Sequence, residues 1–225
     1  MVNNLECYSK LSRVYDSPVA GEAGVKVDGR HERSRRTRHN IVLAAYRLFC
    51  ENGLDVPLTA IAAEAGVSVQ SLYATFGTKI ELLRAALQYA VHGDDLPMPP
   101  HERAWFHEMT AESDPRRAIA ILLHGTQGIY DRLGPFAGVF QTSSTEVAAI
   151  WAHSEELRWN GMRQMTAVLL GKGTTASGLT LSTATDIVFV LLAADSFQSF
   201  ASRGWSSSRW QSWVTETLMH ALFEP

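Results

Sequence analysis

Two short apolar-periodic segments joined by Ala65-Gly66-Val67 constrain the fold of this chain more than any other stretch of its 225 residues. From Pro57 to Glu64, the residues Leu58, Ile61 and Ala62 fall on one helical face; from Ser68 to about Phe76, Leu72 and Phe76 fall on another. Ala62 is small where the first helix must approach the second. Gly66 accepts a backbone that a side chain would strain or obstruct, and Ser68 can cap the second helix through its hydroxyl. Val67 and Leu72 are placed to fill the angle between the two helices. This spacing predicts a helix-turn-helix, two short helices crossing at a tight turn.

The flanks supply the rest of a small helical domain. Ile41, Ala44, Ala45, Leu48 and Phe49 recur at i, i+3, i+4, i+7 and i+8, which predicts an amphipathic helix from about Arg35 to Asn52 with Gly53 as its stop. Asp55 and Pro57 read as the opening of the next helix, Pro57 to Glu64. Gly77-Thr78 separates the second helix of the motif from a fourth, about Thr78 to Val91, carrying Ile80, Leu82, Leu83, Ala86 and Leu87. Residues 1–29 show no sustained apolar period and are expected to form a mobile tail. Gly93 to Pro100 interrupts the pattern. Beyond it, helices are expected at about 101–112, 115–133, 136–143, 145–171, 180–203 and 206–223, with breaks at Asp114-Pro115, Gly134-Pro135, Gly171 to Gly178, and Gly204. The expected fold class is all-α: residues 30–77 form a three-helix head and residues 78–225 a larger helical bundle.

Charge is distributed in keeping with that division. The net charge is −3, yet residues 30–89 hold eight Lys/Arg against five Asp/Glu, while residues 90–225 hold nine against fourteen. Arg30, Arg33, Arg35, Arg36 and Arg38 cluster just before the head, diluted only by Glu32. A basic module on an acidic one suits a protein that meets a polyanion at one end. Two cysteines, Cys7 and Cys50, make no disulfide framework and no metal spacing. Neither a secretory signal nor a membrane-length apolar run is visible, so a soluble cytoplasmic chain with no membrane partner is expected. No Gly-rich phosphate loop, metal-spaced His/Cys set or nucleophile elbow appears. The expectation is therefore not an enzyme, with no cofactor and no metal.

The stretches "IVLAAYRLFCENGL" and "LTAIAAEAGVSVQSLYATFGTKIELL" resemble the N-terminal domain of the TetR (tetracycline repressor) family, and "RGWSSSRWQSWVTETLMHALF" resembles the end of many of its members. Leu72-Tyr73, Phe76 and Lys79 at this spacing make the resemblance specific; the stretch from about 93 to 200 shares only helical texture. The resemblance implies a sequence-specific transcriptional regulator that meets double-stranded DNA at a palindromic operator as a homodimer. Tyr73 and Lys79 would contact phosphate and the second helix of the motif would read bases. A hydroxyl beyond an apolar ring and a point charge at a helix N-terminus suit phosphate on physical grounds as well. Gln70 can pair with adenine, and Val69 or Ala74 can meet thymine methyls. The candidate DNA contacts are Arg35, Arg38, Thr59, Ser68, Val69, Gln70, Ser71, Tyr73, Thr75 and Lys79. The chain departs from the family's habits at Val56 and Pro57, which changes the helix cap, and at Thr59 and Val69, which lowers the charge on its reading face.

For the bundle the resemblance implies dimerisation and sensing of a small molecule. Candidate ligand contacts are Trp105, Phe106, Met109, His124, Gln127, Phe140, Trp159, Met162 and Phe189, a composition suited to an apolar or aromatic effector. Val188, Leu191, Leu192, Phe200, Trp210, Trp213 and Leu218 give the last helices more apolar surface than one monomer face should bury, and mark the expected dimer surface. A ligand-responsive repressor is the leading expectation. A dimeric activator, or a co-repressor-dependent regulator without small-molecule induction, uses the same module.

Overall fold

The computed structural model describes residues 29–93, 102–140 and 144–224, and ten α-helices form its framework among those residues. The expected tail, Cys7, residues 94–100 of the interruption and residues 141–143 of the expected helix at 136–143 lie outside the described residues. Helix α1 is Gly29–Asn52, followed by a 3-10 turn at Gly53–Asp55; α2 is Leu58–Glu64, α3 is Val69–Phe76 and α4 is Lys79–His92. The bundle comprises α5 (Ala104–Ala111), α6 (Pro115–Ala137), α7 (Thr145–Leu170), α8 (Leu181–Leu191), α9 (Ala194–Ala201) and α10 (Ser207–Leu222). A second 3-10 turn, Gly138–Phe140, follows α6. An isolated antiparallel bridge between Thr175 and Phe223 fastens the α7–α8 connection to the end of α10.

Two apolar cores hold these elements. The first gathers Ile41, Ala45 and Phe49 of α1, Ile61 and Ala62 of α2, Leu72 and Phe76 of α3, and Leu82, Leu83 and Ala86 of α4. It also takes Leu133 and Phe136 of α6 and Val147 and Ile150 of α7, so the head shares its core with the near end of the bundle. The second core lies among α5 to α10 and is more aromatic. Tyr130 of α6 stacks on Phe197 of α9 at 5.6 Å, and Trp210 of α10 meets both rings edge-on, at 5.4 and 5.2 Å.

Several boundaries differ from the sequence expectation, each for a local reason. Helix α1 already runs from Gly29 rather than from near Arg35, so the arginine cluster lies on the helix. Pro57 stands at the N-cap of α2 without a side-chain cap, and Asp55 ends the preceding 3-10 turn rather than opening the helix. The expected break at Gly134-Pro135 is not one: α6 runs on to Ala137, because Leu133 and Phe136 bury one continuous face across the proline. No separate helix occupies 136–140; those residues are the end of α6 and the 3-10 turn. The expected helix at 180–203 is two helices meeting at a bend of 41°, with Ala193 extended between them.

The expected dimer surface is also smaller than the sequence suggested. Val188, Leu192, Trp210 and Leu218 are buried within this chain's own core. Apolar groups that stay in the open are Val190, 65% exposed, and Trp213, 36% exposed, with Phe200, Trp205 and Leu191 half-buried nearby in sequence or packing. A tally of apolar residues on one helical face overcounts surface when both sides of a helix are covered. Among the described residues, no single helix is long and apolar enough to cross a membrane.

Candidate nucleic-acid interface

The turn between α2 and α3 is built from backbone hydrogen bonds and one glycine. The Ala65 amide donates to the Ile61 carbonyl (2.9 Å), the Gly66 amide to Ala63 (3.1 Å), and the Val67 amide reaches back to Ala62 (2.9 Å). Gly66 has φ +67°, and a Cβ placed there meets nothing within 4 Å. The glycine is therefore required by backbone conformation, not by crowding. Ile61 and Ala62 are fully buried and Leu72 is nearly so, which locks the crossing of the two helices.

Ser68 then starts α3. Its Oγ accepts the Ser71 amide hydrogen at 3.0 Å and lies 2.8 Å from the Ser71 hydroxyl. Thr75 donates its hydroxyl hydrogen to the Ser71 carbonyl at 2.8 Å. Both side chains thus spend hydrogen-bonding capacity on the helix itself, and Thr75 can offer a ligand only its lone pairs. Gly77, at φ +70°, ends α3 by donating its amide to Tyr73, and Thr78 caps α4 by accepting the Glu81 amide at 3.1 Å. Leu72 and Phe76 point into the core, so Gln70, Ser71, Tyr73 and Ala74 form the outward face of α3. Tyr73 is 51% exposed.

The remaining candidates sit around that face in different states. Thr59 is exposed in the first turn of α2, whereas Val69 is half-buried and packs on the first core. Arg38 lays its guanidinium over the Phe76 ring, 4.4 Å from the centroid, tying α1 to the end of α3. Arg35 pairs with Glu32 at 2.9 Å on the exposed surface. Lys79 is turned inward: its Nζ donates to the Leu54 carbonyl, and burial pulls its pKa below the usual lysine value, against the opposing pull of Asp55. The Arg38–Phe76 contact escapes sequence reading, since nothing local specifies a pair so far apart along the chain.

The nine candidate ligand contacts are not gathered into one lining. Phe140 belongs to the first core, beside Phe136 and Trp151, whereas Met109 and Met162 are buried in the second. Trp105 and Phe106 pack edge to face at 6.0 Å, and Trp105 covers Gly125 so closely that a Cβ there would lie 2.4 Å from its ring. His124 is exposed. Gln127 donates to Asp131 and accepts from Gln211, both at 3.0 Å. Trp159 donates its indole N–H to Asp186 at 3.2 Å, and Phe189 lies beneath the Arg158 guanidinium at 3.4 Å.

A helix-turn-helix head carried on a larger helical bundle is the class of protein this architecture defines. Residues 41–86 match the family model described as "Bacterial regulatory proteins, tetR family", so the match falls on the helix-turn-helix head. A curated relative from Pseudomonas putida, "Uncharacterized HTH-type transcriptional regulator TtgW", is 36% identical over 76 residues. That match covers 32% of this chain and 57% of the relative, so the chain spans just over half the length of the curated relative it matches. Among solved structures, NalD of Pseudomonas aeruginosa, described as the secondary repressor of the MexAB-OprM multidrug efflux pump, aligns with a TM-score of 0.61. Its identity is 21%, over 86% of this chain and 98% of NalD. A transcriptional regulator from Saccharomonospora viridis in complex with choline aligns with a TM-score of 0.60 at 16% identity, over 84% of this chain and 98% of that one. At these identities the solved structures establish a shared fold.

Proposed function

We propose that the protein is a DNA-binding transcriptional regulator that acts as a homodimeric, ligand-responsive repressor on a palindromic operator. One observation carries the DNA reading: the outward face of α3 presents Gln70, Ser71, Tyr73 and Ala74 on a helix pinned by Leu72, Phe76 and the Ser68 cap. Such a face is shallow enough to approach base edges, and Gln70 is its base-reading group. Tyr73 contacts phosphate. Thr59, at the start of α2, and Arg35 and Arg38, on α1, contact the backbone to either side. Ser68, Ser71, Thr75, Val69 and Lys79 support or border that face. Residues 30–77 are the reading head and residues 78–225 the regulatory part.

A palindromic site needs two heads about 34–36 Å apart, and hence a dimer. Val190, Phe200 and Trp213 supply its apolar contact on α8 to α10. The repressor role and the small-molecule effector rest on likeness in fold to a named repressor and to a regulator held with choline. Selection of bound duplexes from random DNA, followed by salt titration of the winner, tests the reading. A palindrome of two short half-sites is expected, with affinity falling steeply as salt rises. Gln70→Ala should relax discrimination at one base pair by about 1–3 kcal/mol. Equal affinity for all duplexes, or none for any, overturns it.

A further inference from the structure

Arg132, on α6 of the bundle, closes over the last turn of α4. Its Nε donates to the Ala90 carbonyl at 3.0 Å and its Nη2 to the Val91 carbonyl at 3.5 Å. These are the carbonyls a helix end leaves without intrahelical partners, at the negative end of its dipole. Gly93 caps the same turn with φ +77°, and a Cβ on it would lie 2.6 Å from the Arg132 guanidinium carbon. A Cβ on Gly128, one turn before Arg132, would lie 3.0 Å from Nη1. The guanidinium therefore occupies a slot that two glycines keep clear.

The backbone of Arg132 is held from the head as well. Tyr46 of α1 donates its hydroxyl to the Arg132 carbonyl at 2.8 Å. Its ring packs on Tyr89 of α4 at 5.3 Å and on Phe136 of α6 at 5.5 Å. Arg132 thus bonds α4 through its side chain and α1 through its main chain. Two residues further on, α6 reaches Gly134-Pro135, where the proline offers no N–H to the Asp131 carbonyl and the helix loses a restraint. Gly134 faces Gln198 of α9: a Cβ there would lie 2.3 Å from the amide nitrogen. Gly134 thus brings α9 against α6 two residues from the group that grips α4.

We propose that Arg132 is the positioning residue that fixes the bundle end of α4, and so sets the separation of the two reading heads. This rests on the dimeric DNA-binding reading above. Loss of the guanidinium leaves each head intact but lets α4 pivot, so discrimination between operator spacings should fall while affinity for one half-site stays.

Two measurements on the full chain test this. Hydrogen exchange without DNA should show faster exchange at the end of α4 in Arg132→Ala, by about tenfold relative to α3 and α10. Binding of the selected palindrome is then compared with a duplex carrying one extra central base pair, which turns one half-site by about 35°. Arg132→Ala should shrink the affinity ratio between the two by about tenfold, with a single half-site bound within about twofold of the wild type. Arg132→Lys, reaching one carbonyl, should restore part of the ratio. If Arg132→Ala does not fold, Tyr46→Phe keeps the ring and removes the hydroxyl tie, and should shift both readouts the same way by about threefold. Uniform exchange across the chain, or an unchanged spacing ratio, overturns the proposal. A wild-type chain that binds no duplex overturns the DNA reading instead, and the exchange measurement then decides the Arg132 grip alone.

Discussion

The head and the bundle both bury helix against helix, but they differ in what fills the core. In the head, polar groups at helix ends are satisfied within a few residues: Ser68 by the Ser71 amide, Thr78 by the Glu81 amide, Gly77 through Tyr73. The buried side chains are aliphatic or small apart from Phe49 and Phe76. In the bundle, the second core is closed by rings from three helices, Tyr130, Phe197 and Trp210, whose contacts span up to 80 positions of sequence. Two of its buried polar atoms, Thr166 Oγ1 and Trp210 Nε1, have no hydrogen-bond partner among the described residues. The bundle's helices are capped locally too, at Asp114, Ser144, Thr180 and Ser206, so the regions differ in how their cores are filled and not in how their helix ends are satisfied.

Trp210 is fully buried against Tyr130 and Phe197, and its loss has the largest expected effect. Trp210→Ala should destabilise by about 4 kcal/mol, the transfer loss plus a cavity among Tyr130 and Phe197. Trp210→Phe fills most of the space and removes an N–H that has no acceptor among the described residues, so it should stay within about 1 kcal/mol of the parent. Chemical denaturation of both variants measures the pair. A large loss for the phenylalanine variant would mean that the indole nitrogen is specifically held, and the contrast between the regions would fail.

This difference also explains what the sequence made legible. The helix-turn-helix could be read because its determinants are local: the Ala62–Gly66–Leu72 spacing, the Ser68 cap and the period of Ile41 to Phe49 all act within one or two turns. The bundle's helices were visible by period, yet their faces were not. Trp210 and Leu218 look like spare surface until α6 and α9 are placed against them. Pro135 reads as a break until Leu133 and Phe136 are seen to share one core. Lys79 reads as a free cation until the Leu54 carbonyl is brought beside it. In each case the missing information is how the chain packs in three dimensions, which no local spacing carries.

Titration gives the next largest effect. Burial raises the Tyr130 hydroxyl from 10.0 to about 12, and burial together with the Cys50 thiol does the same to Tyr46. Between pH 10 and about 12 the unfolded chain releases these protons while the folded chain keeps them, so stability is present in full below pH 10 and falls as pH rises. For the well-buried Tyr130 the loss approaches about 2–3 kcal/mol across that window. Tyr130→Phe should flatten the alkaline fall more than Tyr46→Phe, because Tyr46 is only half-buried. Equal flattening would remove this distinction between the regions.

Ser68→Ala should cost about 1 kcal/mol by removing the α3 cap, and Ser68→Gly only a few tenths. Because the cap orients the helix proposed to read bases, DNA affinity should fall with stability in the alanine variant and recover in the glycine variant, as measured by thermal melting and duplex titration. A bundle cap gives the control. Thr180 accepts the Thr183 amide at 3.2 Å at the start of α8, and Thr180→Ala should lower stability similarly while leaving duplex affinity unchanged.

The smallest effect on stability is the most informative about the head. Arg35 and Glu32 form an ion pair whose side chains are 62% and 52% exposed, a geometry worth about 0–1 kcal/mol. Arg35→Ala should therefore leave the melting transition almost where it was. On the proposed operator the same side chain exchanges Glu32 for a phosphate, and its loss should lower the slope of log affinity against log salt by about 0.9 per protomer, uniformly across duplex sequences. Glu32→Ala should act in the opposite sense, removing a carboxylate that competes with phosphate and strengthening binding at low salt. If both variants leave the salt slope untouched, the first turns of α1 lie away from the duplex, and the head's basic charge serves its solubility instead of its grip on DNA.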